Sequence, residues 1–465
     1  KINGEEKISY LVGGVELHEQ KIGALKDCAG NYYYDYDTFY LQTQANSENV
    51  KIVSWSYRNA EKWQMNGVSE IARNFEEHNP GWIVVGGTNA DFFNINSNGQ
   101  MLNTAMENGE LINPDPNYSN PWWRGILGFT KDNELITGIP SVTNYYNLHV
   151  YTEKTMKNET KTIQVAGVNP GTLSETGITV ITKDSGSFYD LTGYTVCEGV
   201  YTICRVSNGK NKTVFVKGEM GLSRPGKTAE KPYQTREEIE EDGTSKTITV
   251  REFYIATKNQ EVVNKLKSGV KVKCQYDFVG EWQNVENSVG YIHQMLQNGT
   301  SLNQCSTDSF IYTDHPRTFI GFKEDGTPVL MVIDGRGSST NPVKKGNYGV
   351  SLFEGAEIMK LAGCVNAYNL DGGGSSTLIA RNENGGFDVI NRPSDYGYER
   401  STGNAIFLVM RDPAVETVSG RSSASTISIK RKTTDYAKSV TDIKVTVNGK
   451  TYEMKSDEVI ATGLL

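Results

Sequence analysis

Between residues 8 and 60 polar and apolar positions alternate, most plainly in Asp35–Gln42 and Val50–Tyr57, and a period of two predicts strands. The spacing becomes helical over 68–78, until Asn79-Pro80-Gly81 breaks it. Trp82-Ile83-Val84-Val85 is a continuous apolar run of buried-strand length, ending at Gly86-Gly87. From about 125 to 285 strand and turn signals dominate, interrupted by the charged stretch Thr228–Lys246 and a helix-like Asn259–Lys267. Arg317–Phe322 and Pro328–Ile333 read as a hairpin closed by Glu324-Asp325-Gly326. Ser351 opens the clearest helix, with Leu352, Ala356 and Met359 on one stripe and Gly363 as its stop. Cys364–Leu370 then runs as a strand into the loop Asn369–Thr377.

This succession predicts an α+β fold with a mixed, strand-rich core sheet and packed helices, one large domain followed by a short C-terminal β segment. Residues 1–80 are its strand-rich N-terminal part and 81–411 its core. The Ser-, Thr- and charge-rich 412–439 reads as a linker, and 440–465 as a partial β module.

With 465 residues and a net charge of -8, the chain has room for a sizeable core and no long basic run for nucleic acid. No stretch approaches the ~20 apolar residues that span a bilayer. Cys28, Cys197, Cys204, Cys274, Cys305 and Cys364 include no C-x-x-C, and the histidines form no H-E-x-x-H, so neither a zinc cage nor a dense disulfide framework is expected. Oxygen-ligand sites stay open. Because the chain opens at Lys1, the lack of a visible leader does not argue against secretion.

The chemistry gathers in Asn369-Leu370-Asp371-Gly372-Gly373-Gly374-Ser375-Ser376-Thr377. Three successive glycines let a ligand approach backbone N–H groups beside the Asp371 carboxylate, which suits an anionic or oxygen-rich ligand. Neither a Lys-Ser nor a Lys-Thr pair follows, and G-x-G-x-x-G spacing is absent, so nucleotide readings are weak.

The blocks GTNADFFN (87–94), HPRTFIGF (315–322), VIDGR (332–336), SLFEGAEIMKLAGCVNAYNLDGGGSST (351–377) and NRPSDYGYERSTGNAI (391–406) resemble the phosphodiester glycosidase family. The resemblance implies a hydrolase that cleaves the sugar C1–O bond of glycosyl-1-phosphodiesters, N-acetylglucosamine-1-phosphodiester among them, within a catalytic core at 81–411. Its products are free sugar and a phosphate monoester. A phosphate leaves readily, so charge stabilisation and orientation matter more than a strong acid. Asp371, Glu354, Asp334 and Asp91 are the catalytic candidates. Arg317, Arg336, Arg392 and Arg400 are expected on phosphate, with Gly372, Gly373, Gly374, Ser375 and Ser376 completing a cradle and Asn89 and Asn369 binding hydroxyls. No cofactor is required, although a divalent Ca or Mg ion fits the reading. The partner is a glycan or glycosyl phosphate, extracellular, at the cell surface or on a virion.

Each residue has a plainer reading. Glu354 stands three after Ser351, the spacing of a capping box; Asp334 can close a turn, and Asp91 can cap or hold a structural cation. Arg336 and Arg400 can be surface ion-pair partners, and Asn89 and Asn369 can satisfy a loop backbone. Trp122-Trp123, Tyr396 and Tyr398 can be sugar platforms or the edge of a core. Two further functions remain: a phosphodiesterase cutting P–O, and a non-catalytic glycan-binding or virion-surface protein on the same fold.

Overall fold

In the computed structural model the described residues are 6–23, 25–26, 32–33, 36–45, 47–57, 64–96, 99–113, 124–140, 142–151, 159–168, 173–182, 190–205, 211–221, 234–239, 245–265, 271–302, 306–337, 347–412, 426–430, 444–447, 450–453 and 458–462.

Successive residues of a strand face opposite ways, and in Arg317–Phe322 both faces are apolar. Ile320 and Phe322 join one cluster with Leu330, Val332, Leu408 and Met410. Phe319 joins a second with Val329, Met331 and Ile333, beneath Leu352, Ala356 and Met359 of the helix Leu352–Leu361. A strand buried on both faces needs two covering layers. The inner one is a second sheet, whose Ile83, Val85, Ile406 and Leu408 complete the first cluster. Its outer residues Val53, Val84, Phe407 and Val409 are covered by Val68, Ile71, Ala72 and Phe75 of the helix Val68–His78, which recur at helical spacing.

The large sheet runs in space Lys7–Tyr10, Glu16–Ile22, Tyr36–Gln42, Pro328–Ile333, Arg317–Phe322, Asn366–Asn369, Gln294–Gln297, Thr300–Ser301. The small sheet runs Phe387–Val389, Leu378–Arg381, Trp82–Asn89, Ala405–Arg411, Val50–Trp55. All pairings in both are antiparallel. The strand-rich core is as expected. The single mixed sheet is corrected to two antiparallel ones, and with short helices only on the outer faces the fold is mostly β rather than evenly α+β.

Between Leu135–Gly138 and Val285–Ile292, which both pair with Arg124–Thr130, the chain forms a separate sheet from residues 142–278. Its strand Ile178–Thr182 pairs with both Glu159–Val168 and Ser245–Thr257, which closes the sheet on itself. Near the C-terminus Thr426–Lys430 pairs with Glu458–Thr462, and Lys444–Val447 with Lys450–Glu453. The rest of 413–443 and much of 228–246 lie outside the described residues. Among the described residues no helix is long and apolar enough to cross a membrane.

Candidate active site

The glycine loop is clamped where the two sheets meet. Asn89, at the end of its strand, donates from Nδ2 to the Asp371 carbonyl at 2.6 Å, and its Oδ1 accepts from Thr318 Oγ1 at 2.9 Å and Thr377 N at 3.1 Å. One amide thus ties both ends of the loop to both sheets. Asp371 N donates to Ala90 O at 2.9 Å, Leu370 N to Thr318 O at 2.9 Å, and Gly373 N to Pro316 O at 2.8 Å. Fully buried and engaged, Asn89 is a framework residue at this site.

The glycines are bare for a reason the sequence hides. A Cβ on Gly372 would sit 2.8 Å from the Pro316 carbonyl, and one on Gly373, whose φ is +65°, 2.9 Å from Arg336 Nη2. One on Gly374 would strike the Arg400 guanidinium and the Asp395 carboxylate. The space above the loop is therefore filled by two arginines. Its amides are largely taken up as well: Ser375 N bonds Gly372 O at 3.3 Å and Ser376 N bonds Gly373 O at 3.2 Å. The positive surface that an anion meets is guanidinium more than backbone.

Asp371 faces this surface. Burial pushes its carboxyl up to about 6, against the opposing pulls of the Ser375 side chain, Arg400, Gly372 N–H and Arg336. Arg400 is held by Asp395, Nε to Oδ2 at 2.7 Å. Arg336 takes a left-handed φ of 56° and approaches His315 Nδ1 at 3.5 Å. Arg317 is buried differently: Nε donates to Val350 O at 3.3 Å and Nη2 to Phe310 O and Thr313 O at 2.8 and 2.9 Å. Burial pulls it down to about 10, with Asp314 opposing and Arg336 adding to the fall.

The other three acids have carboxylates engaged by donors of the protein itself. Asp91 accepts from Gly290 N at 2.8 Å, Asn404 Nδ2 at 2.9 Å and Asn103 Nδ2 at 3.2 Å. Glu354 accepts from Ser351 N and Oγ, both at 2.8 Å, and from Tyr36 OH at 2.9 Å, so the capping box is present. Asp334 accepts from Asn391 Nδ2 at 3.1 Å and from Arg392 N, while Asn391 Nδ2 also reaches Ser376 O at 2.9 Å. Burial pushes both Asp91 and Asp334 up to about 7, the hydrogen bonds opposing it. Arg392 approaches Asp37 at 3.4 Å and is half exposed. Asn369 donates to Ile292 O at 3.0 Å, and its buried Oδ1 has no hydrogen-bond partner among the described residues.

Two histidines join the site unannounced. His315 lies beside Arg336, its pKa lowered by burial and then by Arg317 and Arg336. His293 has a φ of 70°, its carbonyl accepts from Asn369 N at 3.0 Å, and its ring lies 5.4 Å from Phe310. His315 stood within a recognised block beside Arg317, whereas nothing local marks His293. Trp122 and Trp123 lie outside the described residues. Among the described residues no group of three or more His, Cys, Asp or Glu could hold a metal ion. The carboxylates of Asp91 and Asp334 face N–H donors of the protein itself, a setting unlike the oxygen shell that Ca or Mg takes.

Residues 206–409 match the phosphodiester glycosidase family. Over 109 residues the chain is 31% identical to the SPbeta prophage-derived uncharacterized protein YomE of Bacillus subtilis, covering 23% of this chain and 15% of that protein. A hypothetical protein from Synechocystis shares the fold at TM-score 0.56 and 17% identity, over 88% of this chain and 64% of its own. A protein of Burkholderia pseudomallei does so at TM-score 0.53 and 14% identity, over 88% of this chain and 96% of its own.

Proposed function

We propose that this chain, whose residues 206–409 match the phosphodiester glycosidase family, hydrolyses the sugar C1–O bond of a glycosyl-1-phosphodiester and releases free sugar and a phosphate monoester. The observation that carries the reading is Asp371 beside Arg336 and Arg400 on a loop clamped between the sheets. The carboxylate is placed to balance positive charge at the anomeric carbon as the bond to phosphate breaks. The arginines balance the negative charge that collects on the departing phosphate. Asn89 holds both ends of the loop, and Asp334 reaches it through Asn391, which donates to Ser376 O. The proposed reaction uses no metal, the sugar is N-acetylglucosamine or a close relative, and the setting is an extracellular or virion-associated glycan.

The test is incubation with methyl N-acetyl-α-glucosamine-1-phosphate, with and without EDTA, followed by phosphorus and proton NMR. Free sugar with methyl phosphate, unaffected by EDTA, is expected. Sugar 1-phosphate would assign P–O cleavage instead.

A further inference from the structure

Four exposed tyrosines stand on the segments that hold the arginines. Tyr396 and Tyr398 are each 77% exposed, Tyr348 65% and Tyr312 56%. Tyr396 and Tyr398 flank Gly397 in a turn closed by Gly397 N to Pro393 O at 2.9 Å and Tyr398 N to Asp395 O at 3.0 Å, and Asp395 is the residue that grips Arg400. The Tyr348 carbonyl accepts from Arg336 N at 3.3 Å. Tyr312 directly precedes Thr313, whose carbonyl holds Arg317. Isolated exposed aromatics are ordinary, but here Tyr396, Tyr398 and Tyr348 stand on the segments that hold Arg400 and Arg336 over the glycine loop, and Tyr312 stands beside a carbonyl that holds Arg317.

Backbone strain points to the same place. Six non-glycine residues among those described have positive φ, and three are asparagines, which adopt it readily. The other three are His293, Arg336 and Tyr396, all on the site or its rim. A tyrosine held left-handed and exposed is fixed by its surroundings without being buried by them, and observed strain of this kind gathers at functional positions.

We infer that these tyrosines form an aromatic rim that receives sugar rings beyond the scissile phosphodiester, so that the substrate is a chain of phosphodiester-linked sugars rather than a small glycosyl phosphate. A tyrosine ring offers an apolar face to the C–H face of a pyranose and a hydroxyl to its edge. The arginines beside the rim match a repeating negative charge. This inference rests on the proposed activity for the identity of the central subsite.

The test separates binding from turnover. Asp371→Asn protein, which holds ligand without consuming it, is titrated calorimetrically with poly(N-acetylglucosamine 1-phosphate) oligomers of one to six repeats. The expected result is at least a tenfold rise in affinity between one and four repeats. In Asp371→Asn protein that also carries Tyr396→Ala and Tyr398→Ala, that ratio should fall towards one, and Tyr348→Ala should reduce it independently. Affinity that does not depend on length, or a ratio unchanged in both variants, overturns the rim. If the NMR assay shows no turnover while length-dependent binding persists, the rim stands and the hydrolytic reading fails.

Discussion

At Asp371 burial and two arginines pull in opposite directions, and the balance leaves a carboxyl that titrates near 6. If it works as a carboxylate, kcat/KM should fall as pH drops through about 6. Arg400→Gln removes one opposing pull and should move that acidic limb to higher pH, which a pH profile of the variant reads directly. Asp371→Asn should lower kcat/KM by about a hundredfold or more. Asp334 makes a different prediction, on stability. Its folded pKa, about 7, lies above the ordinary aspartate value of 3.8, so the folded state holds the extra proton between those values. Stability from this group is present at low pH and is lost as pH rises towards 7. Asp334→Asn should therefore flatten the fall in urea midpoint between pH 4 and 7, by at most one proton, or about 1.4 kcal/mol per pH unit.

Among elements, the loop and its clamp matter most. Asn89→Ala removes three hydrogen bonds and leaves Thr377 N–H and Thr318 Oγ1 without this partner. A loss of about 1–3 kcal/mol is expected in chemical denaturation, with a larger fall in kcat than in binding. Gly374→Ala should displace Arg400 and Asp395 while sparing the fold, because the obstructing atoms are the ends of those two side chains and not backbone. The hairpin 317–333, the helices Val68–His78 and Leu352–Leu361 and the Gly363 stop were legible because their signals are local. The capping box around Glu354 was legible too, as the plainer of two readings. The state of the acids was not. Asp91 is engaged by Gly290 and Asn404, 199 and 313 residues away, and no spacing rule reaches that far. Nor does sequence show that guanidinium groups fill the space above the glycines.

On the scale of the molecule, the sandwich brings one sheet's Trp82–Asn89 strand and the other's Arg317–Phe322 strand to a single loop. Period-two patterning predicted strands, but not that they divide into two sheets, since partner choice depends on residues distant in the chain. Burial of Phe319 and Phe407 on opposite outer faces makes both layers test points: alanine at either should cost about 3–5 kcal/mol in denaturation. The sheet from 142–278 enters as an insertion between strands that both pair with Arg124–Thr130, so the chain leaves the sandwich and returns to it at the same strand. The proposed hydrolysis depends on this frame aiming Asp371 and its arginines at a sugar–phosphate bond. The most direct measurement is phosphorus NMR of methyl N-acetyl-α-glucosamine-1-phosphate incubated in oxygen-18 water with wild-type and Asp371→Asn protein. Methyl phosphate without the isotope, label in the freed sugar and near-complete loss in the variant are expected. Oxygen-18 in the phosphate, or equal turnover by both proteins, would contradict the account.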